Sequence, residues 1–213
     1  MPRRALRKLD PTLDLSRHYR VLEQLPRPFD PAALFSRVQP LEVEVGSGKG
    51  MFLASAARCN PGHNFLGIEV SLKYARYAAA KLARQASENA VMIGGDALGL
   101  FREWIPDASL AAVHVYFPDP WWKKRHKKRR VLNEQFLRDA ERTLLPGGSL
   151  HFWTDVEEYY RSTLERIAAT VKLTGPLAVA EKPAEHDLDY RTHFERRTRK
   201  NAEPVYRAEF RKA

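Results

Sequence analysis

The chain of 213 residues has one cysteine, Cys59, so an internal disulfide is impossible and a reducing setting, the cytoplasm, is expected. Cys59 falls in an apolar helical stretch, which predicts a core position rather than a nucleophile. The seven histidines are scattered and no Cys/His cluster has zinc-ligand spacing, so no metal is expected. No apolar run approaches the length of a membrane span. The basic start, Met1 to Asp10, has no apolar stretch behind it and does not read as a secretory leader. No basic helix with an opposing Trp/Leu face stands out, which argues against a membrane surface as partner. The chain also lacks a Walker-type phosphate loop, because its glycine-rich turn is not followed by Gly-Lys-Ser/Thr.

Positive charge is what the chain has in excess. Lys and Arg number 36 against 26 Asp and Glu, a net +10. That balance favours a polyanionic partner, and nucleic acid comes ahead of membrane. The length suits a single α/β domain. Residues 1–39 are rich in proline and arginine and read as a basic arm with one short helix near Arg17 to Gln24. Residues 40–213 hold the domain. Arg3, Arg4, Arg7 and Lys8 read equally as phosphate contacts or as a plain tail.

The domain opens with the alternating segment Leu41-Glu42-Val43-Glu44-Val45. Gly46-Ser47-Gly48-Lys49-Gly50 and a helix from Met51 to Arg58 follow. Strand, glycine turn and helix are the start of a doubly wound, Rossmann-like sheet. The spacing is G-x-G-x-G, whereas a dinucleotide fingerprint needs its last glycine where Met51 stands. A second strand, Asn64 to Val70, ends in Glu69, where a carboxylate can accept from a ribose diol. Ser71 is placed to cap a helix over Leu72 to Ala86. A third strand, Ala90 to Gly94, leads to Gly95-Asp96-Ala97. Asp96 reads either as a contact to an adenine amine or as the cap of a helix over Ala97 to Trp104.

The fourth strand, Leu110 to Tyr116, is nearly all apolar. It runs into Phe117-Pro118-Asp119-Pro120-Trp121-Trp122 and then the basic run Lys123 to Arg130. Two prolines stiffen the turn around one carboxylate, Asp119. Tryptophans beside cations suit nucleic-acid stacking, with Arg125, His126, Lys127, Lys128, Arg129 and Arg130 on phosphates. The other reading of the run is a solvated loop. Glu44, Glu69, Asp96 and Asp119 all end or edge parallel strands, which is where such sheets bind ligands. Without metal ligands among them, four acids on one rim point to a polar, ribose-bearing cofactor with a positive centre.

These residues resemble a family. Glu44 to Gly50, Gly67-Ile68-Glu69 and Gly95-Asp96-Ala97 look like the S-adenosylmethionine site of class I methyltransferases. Phe117 to Trp121, Lys123 and Arg125 to Arg130 resemble one branch, the tRNA (guanine-N7)-methyltransferases. Thr154-Asp155 ends the fifth strand, and Thr192-His193-Phe194-Glu195 looks like that branch's T-x-[FY]-E element. The resemblance covers about residues 41 to 210. Trp122 stands where the family often has proline or histidine. The resemblance implies methyl transfer from S-adenosylmethionine to N7 of a guanine in the variable loop of tRNA. It implies that Glu44, Gly46, Gly48, Gly50, Glu69, Asp96, Ala97 and Asp119 bind the cofactor. It places Lys123, Asp155, Thr192, His193, Phe194 and Glu195 at the substrate, with Asp119 as the catalytic residue. Two alternatives remain, a methyltransferase acting on another RNA and a non-catalytic RNA-binding protein. A monomer and a homodimer are both open.

Farther along, Asn133 to Thr143 reads as a helix with Asn133 as cap. Ser149 to Trp153 reads as strand five. Asp155 reads either as the cap of a helix over Val156 to Lys172 or as a substrate group. Gly175-Pro176 breaks that helix, and Leu177 to Ala180 is short and apolar. Glu181 to Lys200 reads as a polar stretch, in which Thr192 and Glu195 have a second reading as surface residues. Pro204 to Arg211 alternates and predicts a late strand, antiparallel, at the far side of the sheet.

Overall fold

A computed structural model describes residues 6, 8–121, 124–181, 183, 184 and 190–213, and only the backbone of 124, 127 and 128. The expected roles of Arg3, Arg4, Arg7, Trp122 and Lys123, and of the Lys127 and Lys128 side chains, lie outside the described residues. The elements run β1 (Tyr19–Val21), β2 (Leu41–Val45), α1 (Met51–Cys59), β3 (Asn64–Glu69), α2 (Leu72–Arg84), β4 (Ala90–Gly94) and α3 (Ala97–Glu103). They continue with β5 (Leu110–Tyr116), α4 (Glu134–Thr143), β6 (Leu144–Thr154), α5 (Glu157–Thr170), β7 (Thr174–Leu177), α6 (His193–Lys200) and β8 (Tyr206–Arg211).

One sheet has the order β1-β4-β3-β2-β5-β6-β8-β7, parallel except that β8 runs antiparallel to β6 and β7. The chain winds outward from β2 through β3 and β4, then returns to begin again at β5 on the other side. The order therefore switches between β2 and β5, and the crevice at their carboxyl ends is the ligand-binding place of such a sheet. Odd-numbered Val43, Val45, Val113 and Val115 join a core with Phe101, Phe136 and Ile167 of α3, α4 and α5. Phe52 and Ala78 of α1 and α2 join Tyr116 and Trp153 in a second core. Both faces are covered, so the Glu42/Glu44 alternation in β2 does not mark a wet face. Glu44 is 3% exposed.

The segment near Arg17 to Gln24 forms β1 and a 3-10 turn, Leu22–Gln24, rather than a helix. Tyr19, Arg20 and Val21 pair with Met92, Ile93 and Gly94 and close the open edge of β4. Leu25, Phe29 and Phe35 are buried in the first core, so residues 19–39 are built into the domain rather than forming a separate arm. Cys59, the last residue of α1, is exposed, not core.

The breaker Gly175-Pro176 lies inside β7, which starts earlier than the apolar stretch suggested. Proline is tolerated there because β7 is the terminal strand. The late strand is antiparallel and on the far side of the sheet, as expected, and it lies between β6 and β7. Residues 193–200 form a helix that hydrophobic periodicity could not reveal, since α6 buries only Glu195 and Thr198.

Candidate active site

The glycine turn after β2 has Gly46, Gly48 and Gly50 at φ +78°, +53° and +64°, the left-handed region open to glycine. At Gly50 a side chain is excluded twice over, since a Cβ there would lie 2.6 Å from Ala78 Cβ on α2. Gly46 and Ser47 donate their N–H groups to Ile68 O at 2.8 and 3.1 Å. Glu69 holds the turn from the neighbouring strand. Its Oε2 accepts from Gly48 N and its Oε1 from Ser71 N, each at 2.9 Å. Ser71 stands at the start of α2, but its side chain makes no capping bond.

Glu44 lies beneath this turn. Burial pushes its carboxyl up to about 7; the Ser47 side chain opposes the rise, Glu69 adds to it, and Lys81 opposes it. Lys81 is itself pushed down by burial. Oε2 of Glu44 is buried without a hydrogen-bond partner among the described residues. An unmet buried acceptor costs about 1–3 kcal/mol, and a ligand donor or cation arriving there recovers it. Asp96 is the cap of α3, accepting from Leu98 N at 3.0 Å and Gly99 N at 3.2 Å. Ala97 is the first residue of that helix. Val70 and Leu72, which follow Glu69 in the chain, are exposed apolar side chains that the reading of charges missed.

At the end of β5, Asp119 stands exposed on its proline-flanked turn. Phe117 N continues the ladder with β6 by donating to Trp153 O at 2.8 Å. Trp121 is packed by the basic run, with the Arg129 guanidinium 5.2 Å from its ring centroid and the His126 ring edge-on at 5.8 Å. Arg125 and Arg129 are exposed. Arg130 differs from expectation. It is 2% exposed and donates from Nε to Pro120 O at 2.8 Å, so it does not face a phosphate.

The T-x-x-E element caps α6. Thr192 Oγ1 accepts from Glu195 N at 3.0 Å, and Glu195 Oε2 accepts from Arg191 N at 2.7 Å. Thr-x-x-Glu before a helix is a capping-box signature, and that signal was present in the sequence. Neither residue is on the surface; Glu195 is 3% exposed. Its Oε1 lies 3.4 Å from Arg199 and 3.3 Å from Arg207, both of which also pair with Glu181. Phe194 is exposed and its ring is nearly parallel to that of Phe117, 6.0 Å away. His193 begins the helix, half-buried. Asp155 does not cap α5, whose N-cap is Val156; its carboxylate lies 3.7 Å from Arg197 on α6. Strand β5, strand β6 and α6 thus bring Asp119, Asp155 and residues 192–195 to one rim.

Sequence reasoning missed the residue that fastens α6, Arg191. Its guanidinium sits over Phe52, Tyr116 and Trp153, and Nη1 donates to Tyr116 Oη at 3.0 Å. The chain of bonds goes on below the rim. Tyr116 Oη is 2.9 Å from His114 Nδ1, and His114 Nε2 is 2.7 Å from Glu42. Burial lowers the His114 pKa, so the neutral ring accepts from Tyr116 and donates to Glu42. Burial alone would raise Glu42, but its bonds to His114 and His63 outweigh that and lower it. One arginine in a basic stretch carries no sequence signal for such a role.

A family model described as "Putative methyltransferase" matches residues 38–208. The tRNA (guanine-N(7)-)-methyltransferase of Rhodopirellula baltica is 50% identical over 218 residues, covering 100% of this chain and 80% of its own length. The chain belongs to the tRNA (guanine-N(7)-)-methyltransferase family. The enzyme of the same description from Methylococcus capsulatus is 37% identical over 87% of this chain and 80% of its own. Among solved structures, the 16S rRNA methyltransferase KamB superposes with a TM-score of 0.61 at 17% identity, covering 91% of this chain and 99% of that one. That likeness is one of fold.

Proposed function

We propose that this chain transfers a methyl group from S-adenosylmethionine to N7 of a guanine in the variable loop of tRNA, giving 7-methylguanosine. One observation carries the reading. Phe117, on the turn that carries Asp119, stacks on Phe194 of α6; β5 runs beside the strand that leads into the glycine turn; and exposed Arg129 packs on Trp121. The fit of the cofactor rests on Glu44, a buried carboxylate with an unmet oxygen under a turn of left-handed glycines. Glu44, Gly46, Gly48, Gly50 and Glu69 would hold it, with Asp96 and Ala97 at the neighbouring strand end. When bound, it supplies a methyl group on a sulfonium.

Neutral guanine already offers a lone pair at N7, so the residues need not remove a proton first. Their work is positioning. The base gains positive charge as it reacts, and Asp119 meets that charge as it develops, stabilising the transition state more than the ground state. Asp155 and Glu195 are the nearby carboxylates for guanine's N1–H and N2–H donors. Glu195 is already bonded to Arg191 N and paired with Arg199 and Arg207, which leaves Asp155 the more available. Thr192 fixes the start of α6, and His193 and Phe194 present its first turn to the base. N7 of a stacked base is reached by extrusion, at a cost of a few kcal/mol. Lys123, Arg125, His126, Lys127, Lys128 and Arg129 hold the phosphates.

No helix among the described residues is long and apolar enough to cross a membrane. The test is incubation with labelled S-adenosylmethionine and unmodified tRNA transcript, followed by nucleoside mass spectrometry. A 7-methylguanosine peak supports the reading; bound cofactor without methylated tRNA overturns the acceptor.

A further inference from the structure

Asp119 is carried by a turn that the backbone does not adopt readily. Phe117 and Trp121, at φ +49° and +45°, are non-glycine residues in the left-handed region, and they bracket Pro118-Asp119-Pro120. Strained residues of this kind persist where the surroundings hold them. On one side the hold is the β5–β6 ladder, through Phe117 N and Trp153 O. On the other side Pro120 has no N–H to donate, and its carbonyl accepts from Arg130 Nε at 2.8 Å.

Arg130 is anchored in turn on α5. Its guanidinium lies 4.4 Å from the Tyr159 ring centroid, and Nη1 is 3.4 Å from Ser162 Oγ. Its Nη2 is buried without a partner among the described residues. The Tyr159 hydroxyl is pushed up to about 12 by burial first, against the Arg130 cation, and the Asp119 charge adds to the rise. That places Asp119 within electrostatic reach of the same anchor. A desolvated guanidinium is a costly way to fill space, and no described carboxylate pairs with it. Its planar fork does what a lysine cannot, reaching a carbonyl and a hydroxyl at once while lying flat on an aromatic ring.

We propose that Arg130, last in the basic run, is a positioning residue for Asp119 rather than a phosphate contact. It clamps the carbonyl next to Asp119 onto α5 and so sets where the carboxylate stands. The assignment rests on Asp119 acting on the reacting guanine.

The experiment compares Arg130→Lys, Arg130→Ala, Asp119→Asn and the double variant Asp119→Asn/Arg130→Lys in full-length protein. It measures single-turnover methylation of tRNA, together with Kd for S-adenosylmethionine and for tRNA. Arg130→Lys should lower the rate at least about tenfold and leave both Kd values within about twofold, since small misplacements of reacting groups have large rate effects. Methylguanidinium added to Arg130→Ala should restore part of the rate. In the double variant the lysine should add no further loss, because its effect passes through Asp119. A wild-type rate for Arg130→Lys overturns the assignment, and so does weaker tRNA binding at an unchanged rate. If Arg130→Ala does not fold, Arg130→Lys and the double variant decide. Full activity of Asp119→Asn would sink the reading of Asp119 itself. An inactive Asp119→Asn beside an unaffected Arg130→Lys sinks the Arg130 assignment alone.

Discussion

Phe117 and Phe194 lie with ring planes 15° apart and centroids 6.0 Å apart. One leaves β5 toward Asp119, and the other stands in the first turn of α6. Their contact joins the turn that carries the proline-flanked acid to the helix that the Thr192–Glu195 element opens, a meeting neither segment could arrange locally. Arg197 lies 5.2 Å from the Phe194 centroid and also pairs with Asp155, so the end of β6 is drawn into the same group.

Asp119→Ala should lower the methylation rate at least about a hundredfold, the scale seen when one transition-state electrostatic contact is removed. Cofactor affinity should stay nearly unchanged, because the glycine turn and Glu69 are on other strands. Rapid-quench methylation and calorimetric titration of S-adenosylmethionine measure the two separately. A variant with normal turnover refutes the role.

Arg129 and Arg130 are neighbours with opposite environments, one exposed and one buried. Arg129→Gln should weaken tRNA binding and lower the slope of log affinity against log salt by about one. Arg130→Gln should leave that slope unchanged. Filter binding across a salt series reads both, and equal slopes for the two variants would contradict the burial.

Glu44 gives a pH-dependent stability with a definite sign. Folding pushes its carboxyl from an ordinary 4.5 up to about 7. Between those values the folded chain keeps a proton that the unfolded chain has lost, so this group's contribution to stability falls as pH rises. The loss is complete above the folded value and amounts to about 3 kcal/mol at most. Glu44→Gln should therefore raise Tm at pH 8 and change it little at pH 4. Thermal melts at both pH values without cofactor check this, and a larger gain at pH 4 would contradict it.

Glu195 is the hub of a group of two glutamates and two arginines, and it also closes the turn into α6. Removing one partner of a buried pair costs several kcal/mol when nothing replaces it. Here Glu181 remains for both arginines, so Glu195→Ala should cost about 1–3 kcal/mol. Thr192→Val removes only the cap and should cost about 1 kcal/mol. Urea melts give the values, and hydrogen exchange over residues 190–201 should rise in both variants.

Much of the scaffold was legible in the sequence, and for simple reasons. β2 to β5 are short apolar or alternating runs bounded by glycine, proline or acids, and local chemistry decides such strands. The G-x-G-x-G turn, the Asn133 and Asp96 caps and the stiff turn at Asp119 are equally local. What failed was long-range. β1 is a strand because β4 has an open edge to fill, and no property of Tyr19-Arg20-Val21 announces that edge. α6 has almost no apolar stripe because charged pairs dock it, so periodicity is silent there. Arg125, Arg129 and Arg130 are one charge run in sequence, yet the fold exposes two and buries the third against Tyr159. Local chemistry is enough to put a given residue type at each strand end. Which of those residues stay exposed and which are buried as props for the others follows from burial and pairing, and these depend on segments distant along the chain.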